Sequence, residues 1–585
     1  MTRLFSGLAR LVADARGAFR AAPVEAMLAL LAGATFSVSI PRETWPDTSG
    51  RLLLTFSLAI PATFAFTLLH AVGVLRAGAR WALSLAAVAL AGGFAFGAYD
   101  PGYTAGEWQR ALLLLTAALL PFAAITLGAD RDRSWWIQAR LLLRVAVAAA
   151  YGVALFVGIA IAIFAIEQLF ELDIDDDVYA HLAGWTFFAL VPWIVVGGRD
   201  ALVGPASPRA EGVRRVARLA ATFFAAPLAV GYTAILYAYA VRVAVTGEVP
   251  KNLLSPLVTG AGALWLLLAF LVEPIRVTAD VGSSGLGPDE GESMAAKTPA
   301  EAPGSTALTR LARWLPPALL PMLALGIWAV AVRIQQYGWT EFRYVRVAAF
   351  AALAVLAAAG TARLLLRRGR DVGDATIAPA GGVGIVGGGD AAGDAISPHP
   401  GRGPYQRDRS PLPWSAVPVV LALATFLSAV GPWSAAAVSR RSQQARLAAA
   451  IERAREVAGV PADSAAGAAP GTTAGVPASG ATPRRPVPAE LYETINDTGT
   501  YLATHFGPEA VEEVVHTDLP DDYTAWITLA DSLGFSRGLP TRPDGAAFLV
   551  MAWRPDTVVV HGIVGGSLYP VDVSLEDPIG RPRPS

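Results

Sequence analysis

Eleven stretches of 17 to 30 residues run almost without charge through this chain, at 24–40, 52–75, 81–98, 111–128, 141–170, 180–198, 216–245, 257–275, 315–332, 345–366 and 415–434. A bilayer core of roughly 30 Å is crossed by about 20 apolar residues in helical form. The expected fold class is therefore an all-α polytopic membrane helical bundle of about 11 transmembrane helices, followed by a small extracytoplasmic α/β C-terminal module. Composition agrees, because only 16% of residues are charged and the mean hydropathy is +0.47, whereas a soluble domain carries roughly 25% charge. There is no cysteine, which excludes disulfides, Cys-ligated zinc, iron–sulfur clusters and thiol nucleophiles. A net charge of −1 gives no pull toward nucleic acid. The expected partner is the lipid bilayer.

The loops between these runs give an orientation. Loops 1–23, 76–80, 129–140, 199–215, 276–313 and 367–413 hold 23 Arg and Lys, and the alternate set 41–51, 99–110, 171–179, 246–256 and 333–344 holds 6. Basic loops stay cytoplasmic. This places the N-terminus inside, in the cytoplasm, and, with eleven spans, the C-terminus outside. Residues 1–23 read as a cytoplasmic amphipathic helix, with Leu4, Leu8, Leu11, Val12 and Phe19 at helical spacing among Arg3, Arg10, Arg16 and Arg20. The expected organisation continues with spans 1–8 over 24–275, a cytoplasmic linker 276–314, spans 9 and 10 over 315–366 and a Gly-rich linker 367–414. Span 11 and its extension occupy 415–457, a linker 458–487, and the small module 488–585.

No catalytic motif stands out, and no cofactor or metal site is expected. Gly382-Val383-Gly384-Ile385-Val386-Gly387 matches the dinucleotide fingerprint in letters but lacks the strand and helix that make it bind a pyrophosphate. In the C-terminal module, Asn496 or Asp497 reads as the cap of a helix through His505, and a second helix runs from Pro508 to Val515. Strand-like runs follow at Ala547–Trp553, Thr557–Ile563 and around Tyr569–Ser574. His505, His516, Asp518, Asp521, Asp522 and His561 have no spacing that sets two ligands on one helix face and read as solvated polar residues. Ionisable groups inside the spans include His70, Arg144, Glu167, Arg242 and Glu273. All lie within about two turns of an interface, and none is at the midplane where proton-coupled transport usually places one. Pro61, Pro121, Pro192, Pro227 and Pro321 each remove a helical hydrogen bond.

Polarity concentrates in the outer loops. Residues 171–177 carry five carboxylates, which read as solvated caps. The 246–252 loop contains Glu248, Lys251 and Asn252. The 333–344 loop packs Arg333, Gln336, Tyr337, Thr340, Glu341, Arg343 and Tyr344 between two spans, far more polarity than a hairpin needs. Arg and aromatic side chains together suit an anionic or sugar-like group, so these ten residues form the candidate binding site.

The elements G-E-V-P-K-N-x-x-S-P (247–256) and R-I-x-Q-Y-G-W-T-E-x-R-Y (333–344), with the passage LFELDIDDDVYAHL (169–182), resemble the DUF4153 family of bacterial polytopic membrane proteins. The likeness covers roughly residues 50–450. It implies the polytopic topology and marks the two loops as the family signature, but it implies no reaction. The favoured reading is a non-enzymatic inner-membrane protein that binds an envelope component or partner at its outer face. Two alternatives stay open. One is a permease for a small or lipid-linked substrate. The other is an envelope enzyme using Glu248 or Glu341 as general base and Arg343 on a phosphate.

Overall fold

The computed structural model describes residues 17–40, 47–128, 131–171, 173–204, 210–246, 254–284, 303–376, 416–459, 484–516, 528–538, 547–554, 557–564 and 567–574. The Gly-rich 382–387 segment, most of 1–23, and Glu248, Lys251 and Asn252 lie outside them. The described chain divides into two compact units. Unit 1 comprises residues 1–99, 109–336 and 342–431, and unit 2 comprises 100–108, 337–341 and 432–585.

Unit 1 is all-helical. Its elements are α1 (Pro23–Ser39), α2 (Asp47–Ala71), α3 (Ala77–Gly97), α4 (Thr104–Gly128), α5 (Arg131–Phe170), α6 (Asp177–Gly197), α7 (Val213–Thr246), α8 (Leu254–Ser284), α9 (Pro303–Tyr337), α10 (Glu341–Thr376) and α11 (Ala416–Ala429). Among the described residues, nine helices, α2 to α10, contain segments long and apolar enough to cross a membrane. This is a multi-pass helical membrane protein. The first and last expected spans are shorter helices of 17 and 14 residues. At 1.5 Å per residue they measure about 25 and 21 Å, less than the roughly 30 Å core.

Packing of α7 to α11 centres on Leu236, Leu268, Leu319 and Phe350, and packing of α1 to α4 on Leu28, Leu54, Ala59, Ala95 and Ala117. Outward-facing apolar side chains such as Leu143, Val153, Ile161 and Phe164 of α5 are exposed, as lipid-facing positions require. Pro61, Pro121 and Pro321 fall within helices. Pro192 and Pro227 each follow a π-helical turn, Trp185–Leu190 and Ala221–Ala225. The wider turn shifts the hydrogen-bond ladder where proline has no N–H to give.

Arginine has a recurring structural task here. Arg51 donates to the carbonyls of Ala95 (2.8 Å) and Tyr99 (3.0 Å) at the end of α3. Arg144 donates to those of Ile194 (2.6 and 2.9 Å) and Val195 (3.1 Å) at the end of α6. The last carbonyls of a helix lack intrahelical donors and carry the negative end of its dipole, so a guanidinium satisfies both. Arg144, a functional candidate by its depth in the sequence, is a helix cap.

Unit 2 is built on α12 (Ala435–Val457), α13 (Ala489–Phe506), α14 (Glu509–Val515) and α15 (Leu529–Ser532), with a parallel strand pair β1 (Arg485–Val487) and β2 (Phe535–Arg537). Ser434 caps α12 through its Oγ, which accepts from the Ala437 N–H at 3.3 Å. Leu447, Ile451, Val487, Ile495, Leu502, Val511, Leu529 and Phe535 form its core. Arg440 pairs with Glu513 at 2.7 Å, and Arg537 with Glu493 at 2.5 Å. A separate antiparallel sheet, β3 (Ala547–Arg554), β4 (Thr557–Val564) and β5 (Ser567–Ser574), follows the order β3-β4-β5. Arg554 faces Thr557 across the first turn, and the register shifts between Val550 and Ala552.

One expected boundary is corrected. Asn496 and Asp497 do not begin a helix, because α13 starts seven residues earlier at Ala489, after Pro488. The Asn496 carboxamide oxygen instead accepts the Ala530 N–H at 2.7 Å. Asn is as good a cap in trans as at its own helix start, since the first turn of α15 also leaves donors unmatched.

Candidate functional site

The 333–344 signature divides between the two units. In unit 1, Arg333 Nη1 donates to Gln336 Oε1 at 3.4 Å, and Arg343 and Tyr344 are half-buried on the first turn of α10. Tyr337, Thr340 and Glu341 belong to unit 2. There α9 ends at Tyr337 and Gly338 turns the chain with φ +72°. A Cβ at Gly338 would stand 3.0 Å from Gln443 Nε2 and 3.1 Å from Ser442 Oγ. The left-handed backbone favours glycine, and a larger residue would also have to push the Gln443 and Ser442 side chains back by a few tenths of an ångström.

The close approach exists because α12 serves the turn's backbone. Gln443 Nε2 donates to the carbonyls of Tyr337 (3.1 Å) and Trp339 (2.7 Å), and the Trp339 N–H donates to Ser442 Oγ at 3.0 Å. Arg446 lies 5.8 Å from the Tyr337 ring centroid. Residues 439, 442, 443 and 446 fall on one face of α12 by helical spacing.

Glu341 is the centre of the cluster. It opens α10, and its side chain is 1% exposed. Its Oε2 accepts the Tyr501 hydroxyl proton. That proton being committed, Ser439 Oγ donates to the Tyr501 oxygen at 2.9 Å. His505, one turn along α13, stacks on Tyr501 with ring centroids 4.0 Å apart and places Nδ1 3.5 Å from Glu341 Oε2. Glu341 Oε1 and His505 Nδ1 are buried with no hydrogen-bond partner among the described residues. Burial first, then the charge of Glu341 and its bond, hold the Tyr501 phenol protonated far above the usual tyrosine range, against a smaller opposing pull from Ser439.

Chemically, the cluster is a clasp with one accessible edge. Solvent does not reach Glu341, whereas the His505 side chain is 22% exposed. His505 therefore differs from the solvated residue expected of it. Tyr501 four residues before it carries the aromatic face on which it stacks, a pairing that helical spacing allows. His516 ends α14 in a left-handed conformation. Asp518, Asp521, Asp522 and the His561 side chain lie outside the described residues. Among the described residues no group of three His, Asp or Glu is arranged to hold a metal ion.

The span residues fall into ordinary local roles with one addition. His70 Nδ1 sits 2.8 Å from the Leu75 carbonyl, and Glu167 accepts from Tyr179 at 3.2 Å. Arg242 is exposed and Glu273 buried. In the acidic stretch, Asp175 accepts the Asp177 N–H at 3.0 Å at the start of α6, a local turn. The addition is Glu25, fully buried, which accepts from Thr67 Oγ1 at 2.5 Å while its other oxygen has no partner among the described residues. Its signal was available in the sequence, since it is the second residue of the first apolar run. No family model, curated protein or solved structure matches this chain.

Proposed function

We propose that this chain is a DUF4153-like protein of the bacterial inner membrane. Its N-terminus is inside, α1 and α11 complete eleven spans, and residues 488–585 form an α/β module outside. In this reading it works without catalysis, binding an envelope component through outer-face residues of the 333–344 and 246–252 loops. One observation carries the proposal: residues 337–341 of the polar 333–344 loop are held in unit 2 by Ser439, Ser442, Gln443, Tyr501 and His505. A simple span connection needs none of those contacts. The buried Glu341 then anchors the 337–341 turn, and Arg333, Tyr337, Arg343 and Tyr344 are the groups proposed to bind the ligand.

The test uses a deletion strain complemented with Arg333→Ala/Arg343→Ala. Loss of complementation at unchanged protein level is the expected result. Full complementation by the double variant refutes the binding role. Alkaline phosphatase fused after residue 457 should be active and, fused within 367–414, inactive; the reverse pattern refutes the orientation.

A further inference from the structure

One end of unit 1 gathers the first turns of α5 and α7. Trp136 is flanked there by two guanidinium groups, with Arg140 Cζ 5.8 Å and Arg214 Cζ 5.4 Å from its ring centroid. The neighbouring Trp135 is buried, packs edge-on against Trp136 at 5.1 Å, and donates Nε1 to the Phe270 carbonyl at 2.9 Å. The indole pair is thereby anchored.

The two arginines differ. Arg140 Nη1 serves the carbonyls of Ala201 (3.3 Å), Leu202 (3.3 Å) and Gly204 (2.9 Å). Arg214 stacks on Trp136, but its Nε is buried without an acceptor among the described residues. A buried charged donor in that condition calls for an acceptor. Arg133, Arg215 and Arg218 are exposed nearby in sequence on the same two helices. Over 131–140, 199–204 and 210–222 seven arginines stand against three carboxylates, Asp132, Asp200 and Glu211, and Asp200 is already paired with Arg199 at 2.7 Å. Below the arginines α7 continues with exposed Val216, Leu219, Phe223 and Phe224.

We propose that this face docks an anionic phospholipid. Its phosphate oxygens accept from the Arg214 and Arg218 guanidiniums, where arginine's fork suits a phosphate. Trp136 sits at headgroup level, and an acyl chain lies along Leu219 and Phe223. A phosphate on an apolar tail matches this sequence of surfaces, whereas a free anion uses only the first part. The proposal is independent of the outer-face reading.

The test is native mass spectrometry of the full chain taken from nanodiscs holding equal phosphatidylglycerol and phosphatidylcholine. Wild type should retain phosphatidylglycerol in preference. Arg214→Gln should lower that retention about fivefold, the share of one arginine near an anionic surface, and the exposed Arg218→Gln should act similarly where Arg214→Gln fails to fold. Three results overturn the proposal: no preference in wild type, an unchanged preference in Arg218→Gln and any folded Arg214→Gln, or displacement of the lipid by inorganic phosphate alone.

Discussion

Replacing Tyr501 with Phe keeps the ring that stacks on His505 and removes one oxygen. That oxygen donates a hydrogen bond to the Glu341 carboxylate and accepts one from Ser439. A hydrogen bond to a charged group contributes about 1.5–3 kcal/mol net, and one between neutral groups about 0.5–1.5. With Glu341 1% exposed and its other oxygen already lacking a partner, solvent has little room to substitute, so the loss should be roughly 2–4 kcal/mol. Hydrogen–deuterium exchange on the full chain in detergent reads this locally. Amides of α13 should exchange about 30-fold to several hundredfold faster, while α5 peptides are unchanged. The pH dependence has a defined sign. The folded state holds the phenol protonated above its ordinary value of about 10, so the clasp's contribution is complete below pH ~10. It is lost as pH rises beyond that point, and Tyr501→Phe should show a shallower decline, the remainder coming from Tyr492, whose phenol burial also holds above its usual range. Protection of α13 within about threefold of wild type in Tyr501→Phe would show that Glu341 is held by something other than this bond.

Two further outcomes follow from single residues. Gly507 ends α13 at φ +90° and ψ 165°, and a Cβ there would stand 2.6 Å from Tyr103 Cζ. Gly507→Ala should therefore destabilise unit 2 by about 1–3 kcal/mol from the backbone alone, seen as faster proteolysis within α13. Arg144→Met should lower the thermal midpoint of the purified protein by removing the cap on α6, yet still complement a deletion strain. A null phenotype at normal stability and abundance would instead make Arg144 a functional residue.

What the sequence made legible follows from the physics of each element. A span announces itself because the bilayer demands about 20 apolar residues in one run, so the long helices α2 to α10 coincide with nine of the apolar stretches. The ends were less visible, since a helix continues past the apolar limit wherever its backbone still finds donors. The helix α5 thus runs from Arg131, ten residues before the apolar stretch begins. The site was half legible. Glu341 drew notice by its odd placement between spans, but its partners did not. Tyr501 and Ser439 lie 160 and 98 residues further along, on helices whose mixed polar faces look like ordinary solvated surface. Asn496 misled for a related reason: Asn before an apolar stretch resembles a cap, and only the fold shows that it caps another helix.

The separation between Glu341 and Tyr501 also constrains how the protein is made. A ribosome adding about 5–20 residues per second finishes Glu341 roughly 8–30 seconds before Tyr501. Throughout that interval, the Glu341 carboxylate exists without the Tyr501 hydroxyl that will donate to it. A chain broken off between the end of α10 and Tyr501 keeps its long apolar helices but leaves a carboxylate with no phenol to meet. Such a fragment can enter a membrane with the carboxylate still unmatched, so the clasp forms only once α13 has been made.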